Sequence, residues 1–483
     1  MNERPAKAKT ADLTQGNVWK VLLLYSLPLF GSAMVQQLYS LADLLIVGNF
    51  AKEGALAVDA IGNATVVVNL LLSFALGANG GCSVIIAKYF GKRDNKRVRE
   101  TANTAILSFS VLCLIVMTLG FSLARLALKG LSADPSYFDD GLTYLYIYTG
   151  SLPFIFFYNL ACGICSALGD SKTPFLFLVL SSVLNVGLDF LFVCALHTDV
   201  AGAAWATLLS QALSCILTAI VLVRKLRAVK SEEKPKIFDR RLLKELTFTS
   251  LPIILQQCSV SVGNFFINKR INLIGVDATT GFTTAFKLIS VTTMGIVSMS
   301  NGLSNFSSQN KGAEKLDRVR LGFWAELVYS VAVSAIFLAL FVSCPRFFTR
   351  IFIQADKLTD AAMAYSVQFI VIVSCFFPVV SVKIVADSVV RGCGGNLGFT
   401  ISTVADLVLR VAFVYILTDL DWGFAGVSWA WAIGWVIGMA VALVFLLFML
   451  KRLKTGGGPF RPFAKRKKNL PPEPEEASEN PQA

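Results

Sequence analysis

Histidine is almost absent from this sequence, and that absence narrows the chemistry at once. The single imidazole, His197, stands in a short polar stretch between two apolar runs, so neither a histidine-based metal site nor a Ser-His-Asp relay is on offer. Charge is scarce as well. Only 16% of residues are Asp, Glu, Lys or Arg, against about 25% in an ordinary soluble domain. The ten cysteines are scattered through apolar segments and outline no disulfide framework. Cys162-Gly-Ile-Cys165 has redox spacing, yet it lies at the end of an apolar run, where small packing residues are the better reading. No G-x-x-x-x-G-K-[ST] stretch is present, which excludes a built-in P-loop ATPase. The polar stretch Met1–Asn17 leads into a long first apolar run containing Pro28, a pattern that does not read as a cleavable signal peptide.

What is abundant is apolar length. Hydrophobic residues make up 55% of the 483-residue chain, and its mean hydropathy is +0.64. A membrane-spanning helix needs about 20 predominantly apolar residues. Twelve candidate spans meet that requirement: 18–47, 55–82, 102–126, 141–167, 174–196, 201–223, 246–273, 280–306, 321–343, 362–390, 398–418 and 424–450. The predicted fold class is therefore an all-α membrane protein of twelve transmembrane helices in two six-helix lobes. The predicted layout is an N-terminal segment (1–17), an N-lobe (18–223), a basic linker (224–245), a C-lobe (246–450) and a tail (451–483). That tail, rich in Gly, Pro, Lys and Glu from Thr455 onward, reads as disordered.

The net charge of +13 is a topology signal rather than a nucleic-acid footprint. Lys88, Lys92, Arg93, Lys96, Arg97 and Arg99 follow the second span, and nine further cations between Arg224 and Lys244 follow the sixth. Lys311, Lys315, Arg318 and Arg320 follow the eighth, and Lys451, Arg452 and Lys454 follow the twelfth. Odd-numbered spans are followed instead by Asp134, Asp139 and Asp140, by Asp277, and by Asp419 and Asp421. Cationic loops resist translocation, so both termini are expected to be cytoplasmic, in a multi-pass inner (plasma) membrane protein. The partners this implies are the lipid bilayer and a small-molecule substrate, with no nucleic acid and a monomeric chain.

The two halves repeat. Ser26-Leu27-Pro28 returns as Ser250-Leu251-Pro252, and Gly91 with Arg97-Val98-Arg99 returns as Gly312 with Arg318-Val319-Arg320. Pro153 matches Pro378, and Ala201-Gly202-x-x-Trp205-Ala206 matches Ala425-Gly426-x-x-Trp429-Ala430, all at offsets of 221 to 225 residues. Six spans per half place both halves in the same orientation, related by an axis along the membrane normal, with a cavity between them. Secondary transporters are built this way more often than receptors or membrane enzymes.

Polar residues inside the spans mark the candidate site, because an ionisable group at membrane depth is costly and usually lines a pathway. Gln36, Tyr39 and Asp43 share one face of span 1. Asn185 and Asp189 share a face of span 5, as do Thr207 and Gln211 of span 6. This oxygen-rich set suits Na⁺ as a hard cation, or a proton shared between close carboxylates. Pro28 removes a backbone hydrogen bond and offers span 1 a hinge. The structural alternative is that Asp43 and Asp189 merely face solvent at helix ends.

These residues resemble the multidrug and toxic compound extrusion (MATE) transporters over roughly residues 15–452. The resemblance rests on Pro28, Gln36, Tyr39 and Asp43, on Gly91-Lys92-Arg93-Asp94, on Ala167-Leu168-Gly169-Asp170-Ser171-Lys172-Thr173-Pro174, and on Leu184-Asn185-x-x-Leu188-Asp189. It implies two lobes around a V-shaped cavity, no enzymatic activity, and rocker-switch export driven by Na⁺ or H⁺ as the coupling ion, with no other cofactor. It also implies a cation site on Asp43, Asn185, Asp189 and Thr207, with Cys162 where the family's N-lobe branch carries a further amide. By the repeat offset Asp43 falls opposite Ile267, Asn185 opposite Arg410 and Asp189 opposite Val414, so the coupling ion is expected in the first half alone.

In the second half, Gln256, Gln257, Lys287, Asp387 and Arg410 are candidates for the substrate cavity. Lys383–Asp387–Arg391 and Asp406–Arg410 have the spacing of intrahelical ion pairs. The basic set Lys269, Lys287, Lys383 and Arg410 favours anionic or zwitterionic cargo. A lipid-linked-saccharide flippase of the same superfamily is the alternative function, since basic cavities suit phosphate headgroups. A membrane enzyme or receptor is a third reading, and it lacks any catalytic constellation.

Overall fold

The computed structural model describes residues 12–51, 54–130, 135–352 and 359–454, and the regular secondary structure among them is all helical. Asp134 and the tail from Thr455 lie outside the described residues. The first nine crossings are α1 (Val18–Phe50), α2 (Gly54–Gly91), α3 (Asn95–Gly130), α4 (Phe138–Ala167), α5 (Lys172–Asp189), α6 (Asp199–Ala228), α7 (Arg240–Asn272), α8 (Val276–Gly312) and α9 (Leu316–Ser343). After α5 the chain widens into a π-helical turn, Phe190–Ala195. A short helix, α10 (Pro345–Phe352), follows α9 where a loop was predicted. The tenth crossing is broken into α11 (Asp360–Ser374) and α12 (Phe377–Gly392), which meet at 53°. The remaining helices are α13 (Asn396–Leu417) and α14 (Gly423–Lys454). The 57-residue apolar stretch Asn396–Arg452 contains two crossings, because Leu420 and Asp421 leave helical geometry and Gly423 takes φ 51°. Twelve crossings result.

Several helices overshoot the predicted spans at their basic ends. Two of them, α2 with 38 residues and α8 with 37, are long enough to emerge from the bilayer, since 38 residues reach about 57 Å against a hydrocarbon layer of about 30 Å. Their tips turn alike. Arg93 (φ 58°) and Glu314 (φ 60°) are both left-handed, as are Gly169 (φ 86°) and Gly394 (φ 81°). The sequence repeat is thus a repeat of turn conformations, and even the π turn recurs, at Thr418–Trp422.

The starts of the first helices of each lobe reach into the other lobe. The start of α1 (Val18, Leu22, Tyr25) packs with Leu303 and Phe306 of α8, Val319 of α9 and Val389 of α12 in a C-lobe core. The start of α7 (Leu246, Ile254) packs with Ile86, Ala102 and Ile164 in an N-lobe core. Where α2 crosses α8, a Cβ on Gly91 would run into the Gln309 carbonyl, and one on Gly312 would run into the Lys88 carbonyl. These two repeat-related glycines let the backbones touch. The 224–245 linker is ordered too. Lys236 N–H donates to Glu100 Oε1 at 3.2 Å, Asp239 N–H to Thr104 Oγ1 at 3.2 Å, and Arg97 pairs with Asp239 at 3.4 Å. The described part of the predicted N-terminal segment, residues 12–17, is docked in the equivalent way: Arg318 donates to the Gly16, Leu13 and Gln15 carbonyls.

Candidate functional site

The sequence-level candidates converge in the N-lobe. Asp189 is the last α-helical residue of α5 before the π turn, the kind of register change that commonly accompanies functional sites. Its side chain is fully buried, and among the described residues neither carboxylate oxygen has a hydrogen-bond partner. Asn185, one turn earlier, is also buried with both amide atoms unpaired. Asp43 reaches the same region from α1, near enough to interact electrostatically with Asp189, and its Oδ1 is unpaired. Tyr39 stands one turn before Asp43 and hydrogen-bonds Gln36. Thr207 is buried and Gln211 half-buried on α6, but among the described residues no hydrogen bond ties either to the carboxylates.

Two residues in this cluster were missed at the sequence level. Tyr144 and Tyr148 of α4, stacked with centroids 5.9 Å apart, face Asp43, and Tyr144 also faces Asp189. Their i, i+4 spacing in span 4 was the available signal. Cys162 hydrogen-bonds Tyr158 on its own helix. Asp43, Asn185 and Asp189 leave buried oxygens unpaired beside the phenols of Tyr144 and Tyr148, an arrangement able to take a small cation or proton, since buried polar atoms normally find partners. Pro28 lies inside α1, which runs as one helix past it, with Ser32 Oγ donating to the Pro28 carbonyl at 2.9 Å.

The second half is built differently. Ile267 and Val414, opposite the two acids by repeat, are fully buried core residues. Lys383 bonds Asp387 at 3.0 Å and approaches Asp406 at 3.9 Å, while Arg410 grips both oxygens of Asp406 at 2.7 and 2.9 Å. Ser402 donates to Asp387 at 3.3 Å, and Arg410 lies 4.9 Å over the Trp431 ring. Gly434 and Gly438 of α14 make room for this quartet: a Cβ at Gly438 would stand 2.7 Å from Lys383 Cε. The predicted triad is corrected in one respect. Arg391 does not join Asp387, but donates instead to Asn301 and to Ser304 of α8 and stacks on Phe399. Asp387 and Arg410 are thus held in a charge-neutral cluster. Gln256 is buried, Gln257 half-buried, and Lys269 and Lys287 are exposed.

Among the described residues, the interlobe hydrogen bonds gather at the basic ends of the helices. Ser308 donates to the Val84 carbonyl at 2.6 Å, Gln309 to the Ala167 carbonyl at 2.7 Å and Asn305 to Tyr25 Oη at 3.2 Å, while Lys88 pairs with Glu245 at 2.8 Å. The buried polar string Ser304–Asn310 that supplies three of these was not singled out from the sequence. It passes there as the polar end of an apolar run.

The MatE family model matches the chain twice, over residues 28–191 and 252–416, so each half carries one copy of the repeat. The chain is 29% identical over 439 residues to the probable multidrug resistance protein YpnP of Bacillus subtilis, covering 91% of this chain and 94% of that one. It is 24% identical over 315 residues to the FAD transporter of Shewanella oneidensis, covering 64% and 68%. Among solved structures, an outward-facing multidrug resistance MATE family transporter of the MOP superfamily superposes with a TM-score of 0.86 at 22% identity, covering 93% of this chain and 99% of that one.

Proposed function

Because this chain belongs to the MatE family of membrane transporters, we propose that it exports small organic compounds, drugs among them, across the plasma membrane in exchange for Na⁺ or H⁺. One observation carries the coupling assignment: Asp43 Oδ1, both amide atoms of Asn185 and both carboxylate oxygens of Asp189 are buried and, among the described residues, unpaired. A cation or proton bound there would satisfy those oxygens, and the repeat-equivalent positions of the C-lobe hold Ile267, Arg410 and Val414 instead. Asp43 and Asp189 hold the ion, Asn185 and Thr207 border it, and Tyr39, Tyr144 and Tyr148 shield it from lipid. The basic loops stay in the cytoplasm, so the lobes, joined at their basic ends, present the cavity outward. Rocking about the α2–α8 crossing then exposes the cavity inward, with Pro28 letting α1 deform. The export reading is supported by the names of relatives matched over nearly their whole length. That support is why the flippase alternative is not retained.

The test is transport in inverted vesicles with a Na⁺ or a proton gradient imposed in turn. Asp43→Asn and Asp189→Asn should each abolish gradient-driven transport while leaving the amount of protein in the membrane unchanged. Normal transport by both variants would remove the assignment.

A further inference from the structure

Glu326 of α9 has no place in the account above, and its environment is unusual. It lies ten residues past the start of α9, about 15 Å along the helix, and its side chain is fully buried. Oε1 has no partner. Oε2 meets one group, the Ser26 hydroxyl of α1, at 3.3 Å. That hydroxyl also lies 3.4 Å from the Met299 carbonyl of α8.

Other titratable groups on the packed helices are engaged elsewhere or distant along the chain. From α1, the Tyr25 hydroxyl donates to the Ser166 carbonyl, and Lys20 lies six residues before Ser26 and is exposed. From α8, Lys311 donates to the Cys393 carbonyl, and Lys287 lies twelve residues before Met299. From α12, Arg391 is bonded to Asn301 and Ser304, and Lys383 to Asp387. On α9 itself, the Tyr329 hydroxyl donates to the Trp19 carbonyl and Arg318 to Asn310. Asp360 and Tyr365 of α11, and Arg346 and Arg350 of α10, belong to the far end of α9.

Hydrogen counting decides the form of the group. Ser26 has one proton and two acceptors, Met299 O and Glu326 Oε2. If Glu326 is ionised, one of the two contacts fails and a bare charge is left in an apolar core. If Glu326 is protonated, its O–H donates to Ser26 Oγ and Ser26 donates to Met299 O, so both contacts hold. The chain of bonds then runs from α9 through α1 to α8.

The repeat shows which part of this is scaffold. Ser250, the counterpart of Ser26, also bonds across the lobes, to the Ala78 carbonyl at 3.3 Å, and Ala78 is the counterpart of Met299. The serine clasp is therefore symmetric. The counterpart of Glu326, at the 221-residue offset of its neighbours Arg97 and Arg318, is the buried Ala105. Packing in this position is satisfied by a methyl group, so the carboxyl is an addition to one clasp.

We propose that Glu326 is a second proton-carrying residue, which in protonated form latches α1 to the C-lobe and keeps the basic end of the molecule shut. When the lobes part at that end, water reaches the carboxyl, the proton leaves to water as hydronium, and the anion stays hydrated and resists reclosure. The inference needs the lobes to move but does not depend on where the coupling ion binds.

The experiment uses the full chain in lipid nanodiscs, in an Asp43→Asn, Asp189→Asn background that silences the other acids. Infrared spectroscopy should show a buried, protonated carboxyl band that vanishes on Glu326→Gln. A spin-label pair at Lys92 and Asp317, on opposite lobes at the basic end, should lengthen as pH rises. With Glu326→Gln, which keeps a donor toward Ser26, the distance should stay short at every pH, whereas Glu326→Asp should retain a pH transition. A band unaffected by Glu326→Gln, or a distance that follows pH identically in that variant, would overturn the proposal. A misplaced coupling site would show itself separately, as normal gradient-driven transport by the single aspartate variants.

Discussion

Asp170 shows how one residue of the recognisable loop between α4 and α5 acts. Its carboxylate accepts from the Lys172 and Thr173 N–H groups at 3.1 Å and from Thr173 Oγ1 at 2.6 Å, and it pairs with Lys225 of α6 at 2.9 Å. The motif Gly-Asp-Ser-Lys-Thr-Pro is thus a helix start tied to a neighbouring helix, outside the crossing segments. Burial alone would push the pKa of this carboxyl up, but the Thr173 hydroxyl, Lys225 and the Thr173 N–H together hold it below its ordinary value of 3.8. A depressed carboxylate stabilises the fold above that ordinary value, and the contribution fades as pH falls below it. Asp170→Ala removes a buried pair, with side chains 8% and 12% exposed, and should cost about 3–5 kcal/mol. Denaturant unfolding of the purified protein at neutral pH checks this. The gap between wild type and variant should narrow as the pH is lowered through the acid range, and an equal gap at all pH values would contradict the assignment.

At the scale of elements, α2 and α8 decide which conformations are available. Their contact at Gly91 and Gly312 is backbone on backbone, and neither carbonyl in the way is the end of a flexible side chain. Gly91→Val should therefore prevent the basic ends from meeting. The expected phenotype is loss of transport with retained substrate binding, and labelling from the basic side should reach α8 positions such as Ser308, which is now fully buried. Gly312→Val should behave alike, because the crossing is pseudo-symmetric. Full transport activity in both variants would show that the crossing tolerates separation. The α14 groove makes a different demand. Gly438→Leu would press on Lys383 and Asp406, and overpacking of this kind costs about 1–3 kcal/mol.

For the molecule as a whole, the asymmetry between lobes is the informative feature. The two share turns, crossings and clasps, yet the N-lobe brings two acids with unpaired buried oxygens, Asp43 and Asp189, close together, while the equivalent region of the C-lobe holds Lys383 and Arg410 neutralised by Asp387 and Asp406. The basic set that favoured anionic cargo thereby loses Lys383 and Arg410 as free charges. The quartet of Lys383, Asp387, Asp406 and Arg410 carries no net charge against cationic substrates, so the wild type is expected to export cationic dyes in an efflux panel set beside anionic and zwitterionic compounds. Export confined to the anionic members would restore the earlier expectation and point to the exposed lysines as its source.

The sequence by itself determined twelve crossings, the two-fold repeat, the side on which the charges gather and the acids of the candidate site. Each of these is periodic or local: apolar length, a recurring offset, and spacings of three, four or seven residues that place side chains on one face. Only the tertiary structure decided what those residues meet. Tyr144 and Tyr148 became part of the acid cluster because α4, packed on α2 and α6, brings them near Asp43 of α1, a juxtaposition that no spacing encodes. Arg391 turned away from Asp387 because Asn301 and Ser304 of α8 compete for it. Glu326 reads in the chain as one acid in an apolar run, and it gains meaning only when α1 crosses into the other lobe and sets Ser26 against it. Contacts between elements distant in sequence depend on how helices cross, and crossing geometry is settled by the whole set of packed surfaces at once.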